Sequence, residues 1–171
     1  KKLLKEGLKE EGMTKLEFSL MADDTPAGKS TNEFLQSQIE KLGSNVKVNV
    51  ENIPFKSRLT NSTNGKFDAV VTGWGADFAD PISFLQLFVT GNSNNNGSWS
   101  NKEYDKLIKA SSTTDANNTQ KRWDDLVKAE KILMNEQGIV PLYQQAISQL
   151  WNTNLKGEVY NTSGISFDYS G

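Results

Sequence analysis

The sequence contains neither cysteine nor histidine among its 171 residues. Without cysteine the chain cannot form disulfides, thiolate metal sites or a thiol nucleophile. Without histidine it lacks the side chain that most often serves as a general base and as a metal ligand. These two absences exclude most familiar catalytic centres, although chemistry by carboxylates, lysine, serine or tyrosine stays open.

Long apolar runs and a strong net charge are also absent. No stretch approaches the roughly 18 consecutive apolar residues that a membrane-spanning helix needs. The 19 lysines and arginines nearly balance the 21 aspartates and glutamates, which argues against a nucleic-acid surface or a polybasic membrane patch. The length suits one domain. Because the sequence opens in a charged helical pattern and stops without a closing element, we expect it to be part of something longer.

Helical and strand patterns alternate over the first 72 residues, which predicts parallel strands joined by right-handed crossovers, with helices packed on the sheet. The strand at 67–72 is apolar on both faces and is expected to be more central than the other two. The predicted helices cover 1–11, the run from the capping box Ser30-x-x-Glu33 to Gly43, and 54–63, and the predicted strands lie around 16–20, 46–50 and 67–72.

The second half of the sequence is predominantly helical in pattern. We expect Trp99, Trp123 and Trp151 to belong to the core and not to a ligand platform. Helices are predicted from Pro81, from a second capping box at Ser100-x-x-Glu103, and from beyond Asp115 to Gly138, and extended segments at Ile139 to Trp151 and Leu155 to Tyr160.

The segment from Gly73 to Asp77 follows the third predicted strand. Ligands on parallel sheets bind at the carboxyl ends of strands, so this position predicts a binding segment. Gly73 and Gly75 flank Trp74, and two missing side chains beside a large ring would let another backbone approach. The alternative is that the glycines only turn the chain and that Trp74 caps the core.

Two aspartates, Asp77 and Asp80, suggest two different hypotheses. As a pair they could serve a glycosidase, which needs two carboxyl groups flanking the scissile bond. However, Asp80 precedes Pro81, and Asp at the N-cap with Pro at N1 is the expected beginning of a helix. Asp77 has no such capping role, and its carboxylate would suit a cationic group such as a peptide N-terminus, unless it only stabilises a turn.

No metal site, catalytic residue or cofactor is predicted. Asp23-Asp24 and the stretch Asn92 to Asn96 offer oxygen ligands, but neither has the spacing of a calcium-binding loop. We expect both to be solvated turns.

Three stretches make the sequence recognisable. In their order and spacing they resemble the oligopeptide-binding proteins of peptide ABC importers, which are extracytoplasmic solute-binding proteins of family 5, and the resemblance extends from KKLLKEGLKEEG at the beginning to LKGEVYNTSG near the end. It implies an α/β fold in the form of a periplasmic-binding-protein-like lobe, with three layers (helix, sheet, helix) and a mixed, largely parallel sheet. Residues 1–171 would form this single lobe, a C-terminal fragment without its N-terminal partner lobe. The three stretches are GWGADFADPISFLQLFVTGNSNN, WSNKEYDKLI and KRWDDLVKAEKILMNEQGIVPLYQQ.

The resemblance also implies how a ligand is held. An extended peptide would lie between two lobes, and the carboxylate of Asp77 would hold its N-terminal ammonium while nearby backbone groups meet its main chain. Phe78 and Ala79 stand between the two aspartates, where the family often has Tyr and Pro. This difference bears on the shape of the loop and leaves the Asp77 carboxylate in place. The expected ligand-binding residues are Gly73, Trp74, Gly75, Ala76 and Asp77.

The partners implied by the resemblance are an oligopeptide, the permease subunits of the transporter and the missing N-terminal lobe. The location would be extracytoplasmic, and we expect a lipoprotein on the surface of a Gram-positive cell, anchored through an upstream cysteine, in preference to a periplasmic protein. No nucleic acid and no enzymatic activity are expected. Related importer proteins for dipeptides, nickel chelates or signalling peptides, and the glycosidase, remain as alternatives.

Overall fold

The computed structural model describes residues 1–146, 148, 150–154, 156–157, 159–161, 163 and 167–168. The chain divides into two compact units, Lys1–Gly73 and Trp74–Gly171. That both belong to one lobe stays a prediction. None of the described helices is long and apolar enough to cross a membrane.

The first unit has the predicted alternation of helices and strands. Its three strands are parallel, in the order β2-β1-β3, with β1 in the middle. Leu20, Met21 and Ala22 of β1 are buried with Val46 and Val48 of β2 and form the core of this sheet. The elements are α1 (Lys2–Glu10), β1 (Leu16–Asp23), α2 (Pro26–Glu40), β2 (Val46–Ile53), α3 (Phe55–Thr63) and β3 (Ala69–Val70).

The prediction that the third strand is central is wrong. Within the described residues β3 pairs only with β1, so it lies at an edge of the sheet, and it is two residues long. Just after β3, the amide of Val71 still donates to the carbonyl of Met21 at 2.8 Å. Just before β3, the Asp68 carboxylate accepts from the amide of Ser19 at 2.8 Å. An apolar pattern on both faces indicates partial burial, but it does not determine how many neighbours a strand has.

Two helices begin at residues other than those that the capping boxes predict. Thr25 caps α2 by accepting a hydrogen bond from the amide of Gly28 at 3.0 Å, with Pro26 in the first turn. The side chain of Asn101 accepts from the amides of residues 103 and 104 and caps the helix that follows. Ser30 and Ser100 are therefore not caps, because a better-placed hydroxyl or amide lies nearby in the sequence.

The second unit is built around two packed helices. The buried residues Leu85, Tyr104, Ile108, Leu126 and Leu133 form its core together with Ala129. The elements are α4 (Ile82–Leu85), a single 3-10 turn (Gln86–Phe88), α5 (Lys102–Ser112), α6 (Thr119–Asn135) and the antiparallel pair β4 (Val159–Tyr160) and β5 (Phe167–Asp168).

The tryptophans differ in their burial. Trp99 packs against the core and meets the ring of Tyr104 edge-on at 4.9 Å between centroids, as predicted. Trp123 was expected to face inward, but 54% of it is exposed. It has the correct helical spacing from Leu126, yet periodicity does not show how far along a helix the packing extends. Trp151 is also partly exposed, at 37%.

The described residues contain only part of the predicted C-terminal strands. The described residues between 139 and 151 contain no strand, and residues 147 and 149 lie outside the described part. β4 falls within the last predicted strand, of which residues 155 and 158 are likewise not described.

Candidate functional site

The candidate segment Gly73 to Asp77 follows β3, in the predicted place. Because β3 runs parallel to β1, the chain leaves the sheet at the carboxyl ends of its strands. Residues 71–76 have no regular secondary structure, and a bend covers 77–80. Gly73 is the last residue of the first unit, and Trp74 is the first residue of the second.

The backbone of this segment is accessible. Within the described residues, the amides and carbonyls of residues 73–77 form no intramolecular hydrogen bond. A Cβ atom added to Gly73 or Gly75 would meet nothing within 4 Å, and neither glycine has a positive φ. Neither a strained turn nor a close internal contact therefore explains why glycine stands at these two positions.

The indole of Trp74 is fixed at one edge and exposed elsewhere. Its Nε1 donates a hydrogen bond to the carbonyl of Ser83 at 3.0 Å. The residue nevertheless stays 45% exposed, so Trp74 does not cap the core. The ring is held in place with much of its surface facing solvent.

Asp77 and Asp80 have different surroundings. Asp77 is exposed, and its carboxylate makes no hydrogen bond or ion pair to any part of the chain that the structure describes. A turn-stabilising aspartate would accept a local backbone hydrogen bond, and Asp77 accepts none there. The Oδ1 of Asp80 accepts from the amide of Ile82 at 2.9 Å and from Nη2 of Arg122 at 2.8 Å. Asp80 therefore hydrogen-bonds the first residue of α4, but the N-cap position of that helix is Pro81, one residue later than predicted.

Arg122 also alters the electrostatics of Asp80. Its guanidinium, with help from the amide of Ile82, holds the pKa of the Asp80 carboxyl below its usual range, although partial burial acts in the opposite direction. Sequence reasoning missed this partner. A signal was available, because the chain has only two arginines, Arg58 and Arg122, against 17 lysines, and arginine is the residue that favours paired carboxylates.

The other arginine, Arg58, supports the segment from within the first unit. Its Nε and Nη2 donate to the two oxygens of Asp23 at 2.8 and 3.2 Å, and its Nη1 donates to the hydroxyl of Thr72 at 3.3 Å. Only 6% of the Arg58 side chain is exposed, and its guanidinium lies 5.0 Å above the ring of Phe55. Arg58 therefore fixes the residue that directly precedes Gly73.

Of the two predicted solvated turns, the first contains Asp23, which is the last residue of β1 and not part of a turn. Asp23 pairs with Arg58, whereas Asp24 pairs with Lys29 at 2.6 Å on the exposed surface. In the second stretch, the buried amide of Asn95 donates to the carbonyl of Trp99 at 2.7 Å. Across the described residues, no three carboxylates come together as a metal site would require.

A groove of about 410 Å³ lies elsewhere in the second unit, between the region of α4 and α5, with Ile82, Val89 and Ile108 in its wall. None of the predicted binding residues lines it. The candidate segment is therefore an exposed strip of chain and not part of this groove.

Comparison with known proteins shows what the chain resembles. The family described as bacterial extracellular solute-binding proteins, family 5 Middle, matches residues 1–96. A dipeptide-binding protein of Lactococcus lactis subsp. cremoris is 39% identical over 98% of this chain and 31% of its own length. The substrate-binding domain of an oligopeptide ABC transporter from Bacillus anthracis superposes with a TM-score of 0.87 at 34% identity, covering 96% of this chain and 32% of that one.

OppA of Listeria monocytogenes, solved bound to peptide, is 44% identical with a TM-score of 0.69, over 77% of this chain and 24% of that one. The chain spans about a third of the length of the curated relatives it matches. Its fold is α/β of the periplasmic-binding-protein type, as the resemblance implied. Since the family match covers more than half of the sequence, the chain belongs to the bacterial extracellular solute-binding proteins of family 5.

Proposed function

We propose that this chain is part of a protein that captures oligopeptides outside the cytoplasm and delivers them to the permease subunits of an ABC importer. The observation that carries the proposal is the strip Gly73 to Asp77, which combines unpaired backbone groups with one unpaired carboxylate. The relatives named above support it, since their names describe dipeptide-binding, oligopeptide-transporting and peptide-bound proteins.

The backbone of Gly73 to Gly75 would pair with the main chain of an extended peptide. Backbone pairing in the manner of an added strand gives affinity with little dependence on side chains. The absence of side chains at Gly73 and Gly75 leaves open space beside the backbone, and the exposed ring of Trp74 offers a flat apolar surface beside it.

Asp77 would bind the N-terminal ammonium of the peptide. An ammonium donates up to three hydrogen bonds, and those made to a carboxylate are charge-assisted. Asp77 suits this role because its carboxylate is exposed and has no partner in the described part of the chain.

A glycosidase is less consistent with the geometry. Such an enzyme needs two carboxyl groups available to the sugar, whereas Asp80 already accepts from Ile82 and pairs with Arg122. Only Asp77 of the pair is left for a ligand, and one carboxylate suits binding better than acid–base catalysis. We therefore propose a non-enzymatic role that needs no cofactor.

The remainder of the protein would supply the opposite wall of the site. Because the chain covers about a third of its curated relatives, we propose that a second lobe closes over the peptide by hinge motion. We further propose a lipid anchor upstream of this chain as the attachment to the cell surface. The length of the peptide would depend on both lobes, and dipeptides and signalling peptides are the alternative cargoes.

The test is calorimetric titration of the full-length protein and its Asp77→Asn variant with one peptide in two forms, N-terminally free and N-acetylated. Loss of a charge-assisted hydrogen bond should weaken binding of the free form about 10- to 100-fold. The acetylated form should change by less than about twofold, because it has no ammonium to lose.

Asp24→Asn is the matched control, since it removes the same charge from an exposed aspartate that pairs with Lys29. It should leave both affinities unchanged. Equal losses for the two peptide forms in Asp77→Asn would refute the ammonium-binding role. Titration with the same sequence shortened to two residues would show whether the cargo is a dipeptide.

A further inference from the structure

The loop that carries Asp77, residues 74–83, is held together by hydrogen bonds to one buried residue, Ser83. Its carbonyl accepts the indole N–H of Trp74 at 3.0 Å, and its hydroxyl donates to the carbonyl of Asp80 at 2.8 Å. The same hydroxyl lies 3.4 Å from the carbonyl of Phe78. Ser83 is fully buried. The contacts therefore join residues on both sides of Asp77 to a single fixed point.

Arg122 connects this loop to helices α5 and α6 of the second unit through hydrogen bonds. Besides its ion pair with Asp80, its Nε donates to the carbonyl of Ser111 at 3.1 Å, near the end of α5. About a quarter of each side chain in the Arg122–Asp80 pair is exposed. Arg122 thus links the last turn of α5, the beginning of α6 and Asp80, whose carboxylate accepts from the first residue of α4.

Asp77 has no contact of its own to set its position. In the described part of the chain its carboxylate has no partner, so its location depends on the flanking residues Trp74 and Asp80, each three positions away. An anchor that is fixed before the ligand arrives loses less conformational entropy on binding than a mobile one. Supporting residues that lock a binding group therefore contribute to affinity without touching the ligand.

We propose that Arg122 is a positioning residue for ligand binding. By holding Asp80, and through it the bend closed by Ser83, it fixes the point at which the Asp77 carboxylate meets the ammonium of the peptide. The inference rests on the proposed function and deepens it, because it assigns a role to a residue 45 positions further along the chain.

A positioning role and a purely structural role predict different measurements. The relevant quantity is the discrimination factor, which is the Kd of the N-acetylated peptide divided by the Kd of the N-terminally free peptide. A general loss of stability lowers the melting temperature but leaves this factor unchanged. A misplaced Asp77 lowers the factor, because only the free peptide uses the carboxylate.

The experiment measures the discrimination factor and the thermal melting of the full-length protein with Arg122→Gln, Arg122→Lys and Asp80→Asn. Arg122→Gln should lower the factor about 5- to 10-fold by weakening binding of the free peptide. Arg122→Lys should restore part of it, since it keeps the charge beside Asp80 but loses the planar fork. Asp80→Asn is a milder variant that weakens the same pair, and it decides the question if Arg122→Gln does not fold.

Tyr104→Phe is the control for destabilisation. It removes a buried hydroxyl that donates to the carbonyl of Leu85 in the core of the second unit, so it should lower the melting temperature and leave the factor unchanged. If it lowered the factor as much as Arg122→Gln, the inference would be overturned.

Asp77→Asn distinguishes a failure of the inference about Arg122 from a failure of the proposed function. If that variant lowers the factor while Arg122→Gln and Asp80→Asn keep the wild-type value, the inference about Arg122 is wrong and the proposed function stands. If Asp77→Asn itself leaves the factor unchanged, the proposed function fails and the inference fails with it.

Discussion

At the scale of single residues, Asp77 and Asp80 show how surroundings decide the role of a side chain. The two residues are chemically identical and three positions apart, but only Asp80 has a cation and a backbone amide beside it. Its carboxylate is committed to the protein, whereas that of Asp77 remains available to a ligand. We infer that the spacing of the pair reflects one structural and one recognition residue, and not an acid–base pair.

The pair with Arg122 predicts a pH dependence of stability. Because the pKa of Asp80 is held below its usual range, its stabilising contribution is present above the unfolded-state pKa and is lost as the pH falls through the folded-state pKa. We expect the free energy of unfolding to fall less steeply below about pH 4 in Asp80→Asn than in the wild type. Urea unfolding at a series of pH values measures this, and parallel curves for the two proteins would contradict it.

At the scale of elements, the beginning of α2 depends on a close approach between the backbones of Gly28 and Asp23. Thr25 and Pro26 begin the helix, and its third residue is Gly28. A Cβ atom at Gly28 would lie 2.2 Å from the carbonyl oxygen of Asp23, which is a backbone atom and cannot move away easily. Gly28 therefore lies inside the helix, against the last residue of β1.

Two alanine substitutions test this explanation. Alanine favours helix over glycine by about 1 kcal/mol, so Gly7→Ala in α1 should raise the free energy of unfolding, since nothing lies within 4 Å of the added atom. Gly28→Ala should lower it by roughly 1–3 kcal/mol, because the clash outweighs the propensity. Chemical unfolding of both variants gives the comparison. A stabilising effect of Gly28→Ala would show that the contact relaxes at little cost.

Sequence patterns predicted the presence of the helices and strands of the first unit better than their boundaries or neighbours. Apolar periodicity arises from burial on one face, so it indicates an element and its inner side. The predicted beginning of α2 at the Ser30 capping box is wrong because Thr25, five residues earlier, caps the helix. The edge position of β3 was missed because pairing depends on the whole chain and not on the strand itself.

At the scale of the whole molecule, the chain accounts for about a third of its curated relatives. Under the proposed function, the strip Gly73 to Asp77 would cover only one side of an extended peptide. If a second lobe supplies the contacts to the other side of the peptide, the 171-residue chain alone makes only part of them. Those contacts are then too few to offset the translational and rotational entropy lost on association.

The isolated 171-residue chain is therefore expected to bind peptide only weakly. Calorimetric titration, after circular dichroism has verified its folding, should show little heat up to about millimolar peptide. The full-length protein with the same peptide is the control. Micromolar or tighter binding by the isolated chain would contradict the idea that this is half of a site.

The sequence by itself determined the α/β class, the family and the place of the candidate segment, because these depend on local patterns and on the order of motifs along the chain. Only the tertiary structure decided that Asp80 is paired with Arg122, that Ser83 joins both sides of Asp77, and that Arg58 holds Thr72, just beyond β3. These contacts join residues up to 42 positions apart. Periodicity carries no information about such pairs, since they form only when the packing of distant elements brings complementary charges and hydrogen-bonding groups together.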